Sequence, residues 1–301
     1  MQKPEYRPYS YTVTQMVLAI LLSFLLFTIL GMLAMATIAS LWPETGGITD
    51  NLADLILMNT PHLVLFAAVA LSARWILHTP LGMLATDRPH FSWRLVLLSF
   101  LSSLLILTVV NIPLIFFQDV HYLSGSWPKR LLLLPFILVL VPLQTAAEEL
   151  FFRVLPARLV YRGRMETEYG HMLLLSAVSG LLFVLPHLSA NEMELVDNVP
   201  ALLTYYFLFG FAAMYISLYT RGFECAFGTH AAINMFTALI LGYEGGSLVS
   251  APLFMMDEMV DPFYDNIALA ILFIFVIFTV TQAAKRGFLG DNKVEREEEN
   301  G

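Results

Sequence analysis

The sequence predicts an all-α polytopic membrane protein, a bundle of about eight transmembrane helices enclosing an intramembrane polar cavity. Three observations predict it. Hydrophobic residues make up 58% of the chain and charged residues 13%, at a mean hydropathy of +0.72, whereas about a quarter of an ordinary soluble domain is charged. Apolar runs of roughly 20 residues, the length a helix needs to cross a bilayer, recur along the chain. Lys and Arg alternate from loop to loop, as they do when one side of the membrane collects positive charge.

In order, the runs span Thr14 to Leu41, Ala53 to Leu77, Leu95 to Phe117, Leu131 to Val160, His171 to Leu188, Ala201 to Tyr219, Phe223 to Leu241 and Asn266 to Ala284. Breakers such as Trp42-Pro43, Trp127-Pro128 and Gly245-Gly246 separate them. The first run is too long for the apolar region of a cleaved leader and reads as an uncleaved anchor. With the N-terminus placed inside, the inner segments hold Lys3, Arg7, Arg74, Arg88, Arg94, Arg158, Arg162, Arg164, Arg221, Lys285, Arg286, Lys293 and Arg296, and the outer loops hold only Lys129 and Arg130. The outer loops are acidic instead, from Glu44 and Asp50 through Glu192, Glu194 and Asp197 to Glu244, Asp257, Glu258, Asp261 and Asp265. Both termini are therefore expected in the cytoplasm. The chain reads as an integral protein of a bacterial cytoplasmic (inner) membrane with the lipid bilayer as partner. A net charge of -8, concentrated in loops and in the tail Glu295 to Glu299, excludes a nucleic-acid surface. A single cysteine, Cys225, allows no internal disulfide.

Charge inside a span needs a reason, since each charged side chain at the bilayer centre costs roughly 2.5 to 3.5 kcal/mol on insertion scales. Glu148, Glu149 and Arg153 all follow the apolar run Leu131 to Ala147. On a helix Glu149 and Arg153 stand at i and i+4 and can pair, while Glu148 is rotated about 100° away. Two further spans carry histidine: Phe183-Val-Leu-Pro-His187 closes the fifth run, and His230 and Asn234 share one face of the seventh. Phe183 reads as a packing partner of His187. His62 and His171 read as interfacial or packing residues. A carboxylate or imidazole that deprotonates water, with donors for the developing oxyanion, is what amide hydrolysis requires.

Taken in order and each in its own span, Glu148-Glu149-xxx-Arg153, Phe183-xxx-His187 and His230-xxx-Asn234 resemble the three motifs of the CPBP family (CAAX protease and bacteriocin-processing, or Abi), which includes the type II CAAX prenyl endopeptidases. The resemblance covers roughly Leu131 to Gly242. It implies an intramembrane endopeptidase of metallo- or glutamate type acting on a peptide or protein with a membrane-proximal cleavage site. Glu148 and His187 would activate water, His230 and Asn234 would bind the oxyanion, and Glu149 and Arg153 would orient and support Glu148. A zinc site built from Glu148, His187 and His230 is compatible with this set, and so is a metal-free mechanism. The chain has no HExxH and no convincing Ser and His pair of rhomboid type.

The expected organisation is an N-terminal three-span region (1-130), a catalytic core (131-242), and an outer acidic loop, last span and cytoplasmic tail (243-301). At about 1.5 Å per residue, His230 lies roughly 12 Å in from the turn near Arg221 and His187 about 24 Å beyond His171. Their convergence calls for the fourth and fifth spans to extend past the membrane as a cytoplasmic hairpin around Arg158 to Tyr169, with bends at Pro142 and Pro186. The chamber is then expected beneath the cytoplasmic leaflet. Two other functions use similar residues: a scaffold or bacteriocin-immunity protein with a binding pocket, and a small transporter with a proton relay. The absence of an internal repeat and of paired broken helices argues against transport.

Overall fold

The computed structural model describes residues 10-42, 48-123, 127-163, 165, 168-249 and 251-286. Lys3, Arg7, Glu44, Arg164, Lys293, Arg296 and the acidic tail lie outside the described residues.

The helices in chain order are α1 (Val13–Leu41), α2 (Ile48–Trp75), α3 (Leu81–Leu84), α4 (Trp93–Asn111), α5 (Leu114–Phe117), α6 (Trp127–Glu149), α7 (Leu155–Tyr161), α8 (Tyr169–His187), α9 (Glu192–Leu195), α10 (Val199–Tyr219), α11 (Glu224–Leu239) and α12 (Pro262–Lys285). A single π-helical turn, Leu150–Val154, joins α6 to α7. Among the described residues, seven helical runs are long and apolar enough to cross a membrane. The predicted seventh span is the exception. It folds as α11, only 16 residues long, after a turn in which the Phe223 amide donates to the Ala85 carbonyl at 2.9 Å.

Local chemistry explains the helix ends. Thr12 and Gln15 form a reciprocal capping box at the start of α1. Asp261 accepts from the Phe263 amide at 2.8 Å, ahead of α12 with Pro262 in its first turn. Arg162, at φ 50°, ends α7 in the left-handed region.

Small residues set how closely helices approach. A Cβ on Gly210 would lie 2.9 Å from the Gly180 Cα and 3.0 Å from the Ser179 carbonyl, so α8 and α10 cross nearly backbone to backbone. That crossing brings the end of α8 against Tyr206 of α10, whose ring stacks on His187 with centroids 4.1 Å apart. Between α4 and α11, Ser103 donates to Thr229 at 3.3 Å.

The connections gather at two ends of opposite charge. At the basic end, Arg158 donates to the Leu84 and Thr86 carbonyls at 2.8 and 3.1 Å and to Asp87 at 2.7 Å, while Arg88 pairs with Glu224 at 3.1 Å. Arg74, Arg94, Arg162 and Arg221, and Lys285 and Arg286 closing α12, complete this end among the described residues. At the acidic end, three short strands form a sheet in the order β1-β3-β2. β1 (Val120–Tyr122) runs antiparallel to β3 (Phe254–Met256), and β2 (Leu241–Tyr243) runs parallel to it. Arg130 is held there by the Pro252 carbonyl, with its Nε at 3.0 Å. The loops therefore sort by charge as the alternation of Lys and Arg predicts.

The expected long fourth span is present: the run Trp127–Tyr161 contains 35 residues, about 52 Å of helix against a hydrocarbon core of about 30 Å. Helix continues through Pro142 and Pro186.

Candidate active site

Glu148 and Glu149 end α6 at the point where the π turn begins, and the two carboxylates part company there. Such a turn inserts an extra residue into the helical repeat and re-aims the side chains around it. Glu149 and Arg153 are fully buried and form an ion pair. The Arg153 guanidinium lies over the rings of Phe183 at 4.5 Å and Phe209 at 5.1 Å, where the negative ring faces supplement its one carboxylate partner. The same Glu149 oxygen accepts from His230 Nδ1 at 2.7 Å. Glu149 thus contacts both Arg153 and His230.

Glu148 faces a cavity of about 330 Å³. Its Oε1 accepts from Gln144 Nε2 at 3.1 Å and lies 3.3 Å from His62 Nε2, and its Oε2 lies 3.6 Å from His230 Nε2. His187 and Asn234 line the same cavity. Phe183 bridges the histidines, with its ring 4.5 Å from His187 and 5.8 Å from His230. Glu148, His187, His230 and Asn234 therefore share one chamber, while Glu149, Arg153 and Phe183 lie beneath its wall.

Each imidazole has its Nδ1 tied to an acceptor. His187 Nδ1 meets the Phe183 carbonyl at 2.7 Å, His62 Nδ1 meets the Met58 carbonyl at 3.2 Å, and His230 Nδ1 meets Glu149. A carbonyl or an Arg-paired carboxylate can only accept, so all three rings carry hydrogen on Nδ1 and turn Nε2 into the chamber. A neutral ring then presents a lone pair there. It becomes a donor at Nε2 only as an imidazolium.

One expectation is corrected. His62 is not a packing or interfacial residue, since it stands on Glu148 inside the chamber. The signal for it was present in the polar run Asn59-Thr60-Pro61-His62 within the second apolar span, and Gln144 likewise stands one turn before Glu148. His171 is at the surface as expected, 57% exposed and 3.2 Å from Glu168. The chamber is lined at one end by Glu192, Tyr243, Ser247, Met256 and Met259 of the acidic-end connections, and among the described residues no basic-end turn lines it. His187 ends α8, and His230 lies in α11, whose first residue, Glu224, pairs with Arg88 at the basic end.

Glu192 ties this mouth together. Its carboxylate accepts from the Ser247 amide at 2.8 Å, the Ser247 hydroxyl at 2.5 Å and the Tyr243 hydroxyl at 2.9 Å. Burial pushes its pKa up, but the Ser247 and Tyr243 donors outweigh burial and hold it below the usual carboxylate value.

The zinc set was tested on the donors themselves. Among the described residues no three His, Cys, Asp or Glu side chains come together as a metal-binding group. His62 and His230 both bring Nε2 to Glu148, at 3.3 and 3.6 Å, and no step below is routed through a metal.

The fold and this chamber define a polytopic membrane protein with a buried carboxylate and imidazole site. Residues 128–236 match the family described as "Type II CAAX prenyl endopeptidase Rce1-like", and the resemblance read from the three motifs holds over that region. The chain is also 30% identical over 200 residues to the uncharacterized protein YyaK of Bacillus subtilis (strain 168). That match covers 64% of this chain and spans about 63% of the length of the relative. No solved structure matches.

Proposed function

We propose that the protein is an intramembrane endopeptidase that hydrolyses peptide bonds with a water activated by Glu148 and His187. One observation carries the reading: a carboxylate shared by Gln144, His62 and His230 faces the same cavity as His187 and Asn234. Glu148 or His187 Nε2 takes a proton from the water, and the water oxygen adds to the scissile carbonyl carbon. The negative charge that develops on the carbonyl oxygen is met by the Asn234 amide and by His230 Nε2–H. Because His230 donates through Nδ1 to Glu149, it serves this role as an imidazolium with Glu149 as its counter-ion, and Arg153 pairs with the same carboxylate. Collapse of the tetrahedral intermediate breaks the C–N bond, and the proton taken from water passes to the leaving amine. In this reading residues 131–242 are the catalytic core, with α2 contributing His62.

The test uses the purified full chain in nanodiscs with a fluorogenic peptide mixture. Glu148→Gln should lower hydrolysis by about 10² to 10⁴, the range for a lost general base, with thermal unfolding unchanged. Hydrolysis at the wild-type rate in that variant rejects the proposal.

A further inference from the structure

The sidedness of the charges and the direction in which the chamber opens are independent features of the chain. Thirteen of its sixteen Lys and Arg residues fall in the segments that share the side of the N-terminus, a distribution that marks the cytoplasmic side. The structure gathers the described members of that set at the end of Arg158, Asp87 and Glu224. The chamber opens at the other end. Its lining runs from Glu148 to Glu192, Ser247 and Met259 and includes Leu241, Tyr243 and Met256 of the three-stranded sheet. Glu149, Arg153 and Phe223 are fully buried and lie outside that lining.

We infer that the chamber is fed from the extracytoplasmic face of the membrane, so that its substrate is a polypeptide segment exposed there, translocated or membrane-anchored, and not the C-terminal tail of a cytoplasmic protein. The inference rests on the endopeptidase reading for the word substrate, and on geometry and charge alone for the side of entry. A segment approaching from the cytoplasm would have to pass the packed layer of Arg158, Asp87, Arg88 and Glu224, in which every one of these charges is engaged. A segment approaching from the far side meets the sheet, the Ser247 loop and then Glu148.

The experiment uses the full-length protein in right-side-out and inverted membrane vesicles. Val249→Cys places a thiol on the chamber lining, away from the proposed catalytic groups, and His90→Cys places one on the exposed basic end. The native Cys225 is fully buried and stays silent. A membrane-impermeant maleimide and an impermeant fluorogenic peptide mixture are supplied to each preparation. Val249→Cys should label in right-side-out vesicles and His90→Cys in inverted ones, and hydrolysis that Glu148→Gln removes should occur only right-side-out. Labelling of Val249→Cys from the inverted side, or from both sides, overturns the inference and leaves the endopeptidase reading standing. Labelling from the expected side with no Glu148-dependent hydrolysis in either preparation or in detergent confirms the side of entry and overturns the endopeptidase reading.

Discussion

Replacing Arg153 by Met removes a cation from a fully buried pair while keeping most of the side-chain volume between Phe183 and Phe209. Glu149 then keeps one donor, His230 Nδ1 at 2.7 Å, and among the described residues its second oxygen has no hydrogen-bond partner. Stranding one member of a buried pair costs about 3 to 5 kcal/mol. At about 2 to 4 °C per kcal/mol for a chain of this size class, Arg153→Met should lower the thermal midpoint by on the order of 10 °C. Removing both charges behaves differently, because replacing a whole buried pair by neutral groups is close to neutral for stability. Glu149→Gln/Arg153→Met should therefore recover most of the loss, and by differential scanning fluorimetry in detergent it should melt within a few degrees of wild type. The same double variant should stay inactive in the peptide assay, since His230 has lost the counter-ion for its imidazolium. An Arg153→Met midpoint within 2 °C of wild type, or a double variant no more stable than the single, would refute the argument that this pair is a charge-compensated unit under His230.

Other outcomes test other parts of the structure. His62→Gln should reduce kcat by about tenfold and alter the pH profile of kcat/KM, since the ring holds Glu148 Oε1 at 3.3 Å and contributes a titrating group beside it; an unchanged profile would make His62 a packing residue after all. Glu192 has a folded pKa below its unfolded value, so its stabilisation of the Ser247 loop is complete above the unfolded carboxyl pKa near 4.3 and is lost as pH falls through the lower folded value. Hydrogen exchange at residues 244–249 should rise in that acidic window, and in Glu192→Gln it should be raised already at neutral pH. Among the described residues no Lys or Arg lines the chamber, whereas Glu148, Glu192 and Asp265 do. Peptides with Lys or Arg flanking the scissile bond should therefore give higher kcat/KM at low salt than Glu-flanked ones, a preference that shrinks as ionic strength rises.

Much of the fold was legible because membrane insertion is written in one dimension. Apolar length marks seven of the helices, and i,i+4 spacing pairs Glu149 with Arg153 and sets His230 above Asn234 without reference to any neighbour. The site was legible in part. Glu148, His187, His230 and Asn234 of the fourth, fifth and seventh runs line one chamber, but His62 was passed over. A lone imidazole in an apolar span says nothing about which helix faces it, and its partner is 86 positions away in sequence, at Glu148. The seventh run is apolar enough to be counted, yet α11 has only 16 residues, with Phe223 bonded to Ala85 before it and Gly228 packed closely on α4.

The amino-acid order by itself determined that this chain lives in a membrane, which loops share a side, and that carboxylate, imidazole and amide groups lie in three particular runs. Each of these depends only on transfer free energy along the chain or on the period of a helix. Only the tertiary structure decided that Glu149 meets His230, that His62 and His230 bring Nε2 to Glu148, and that the chamber is lined by the acidic-end connections. Those outcomes depend on how deep α8 and α11 sit against their neighbours, which close contacts at Gly180, Gly210 and Gly228 set in three dimensions.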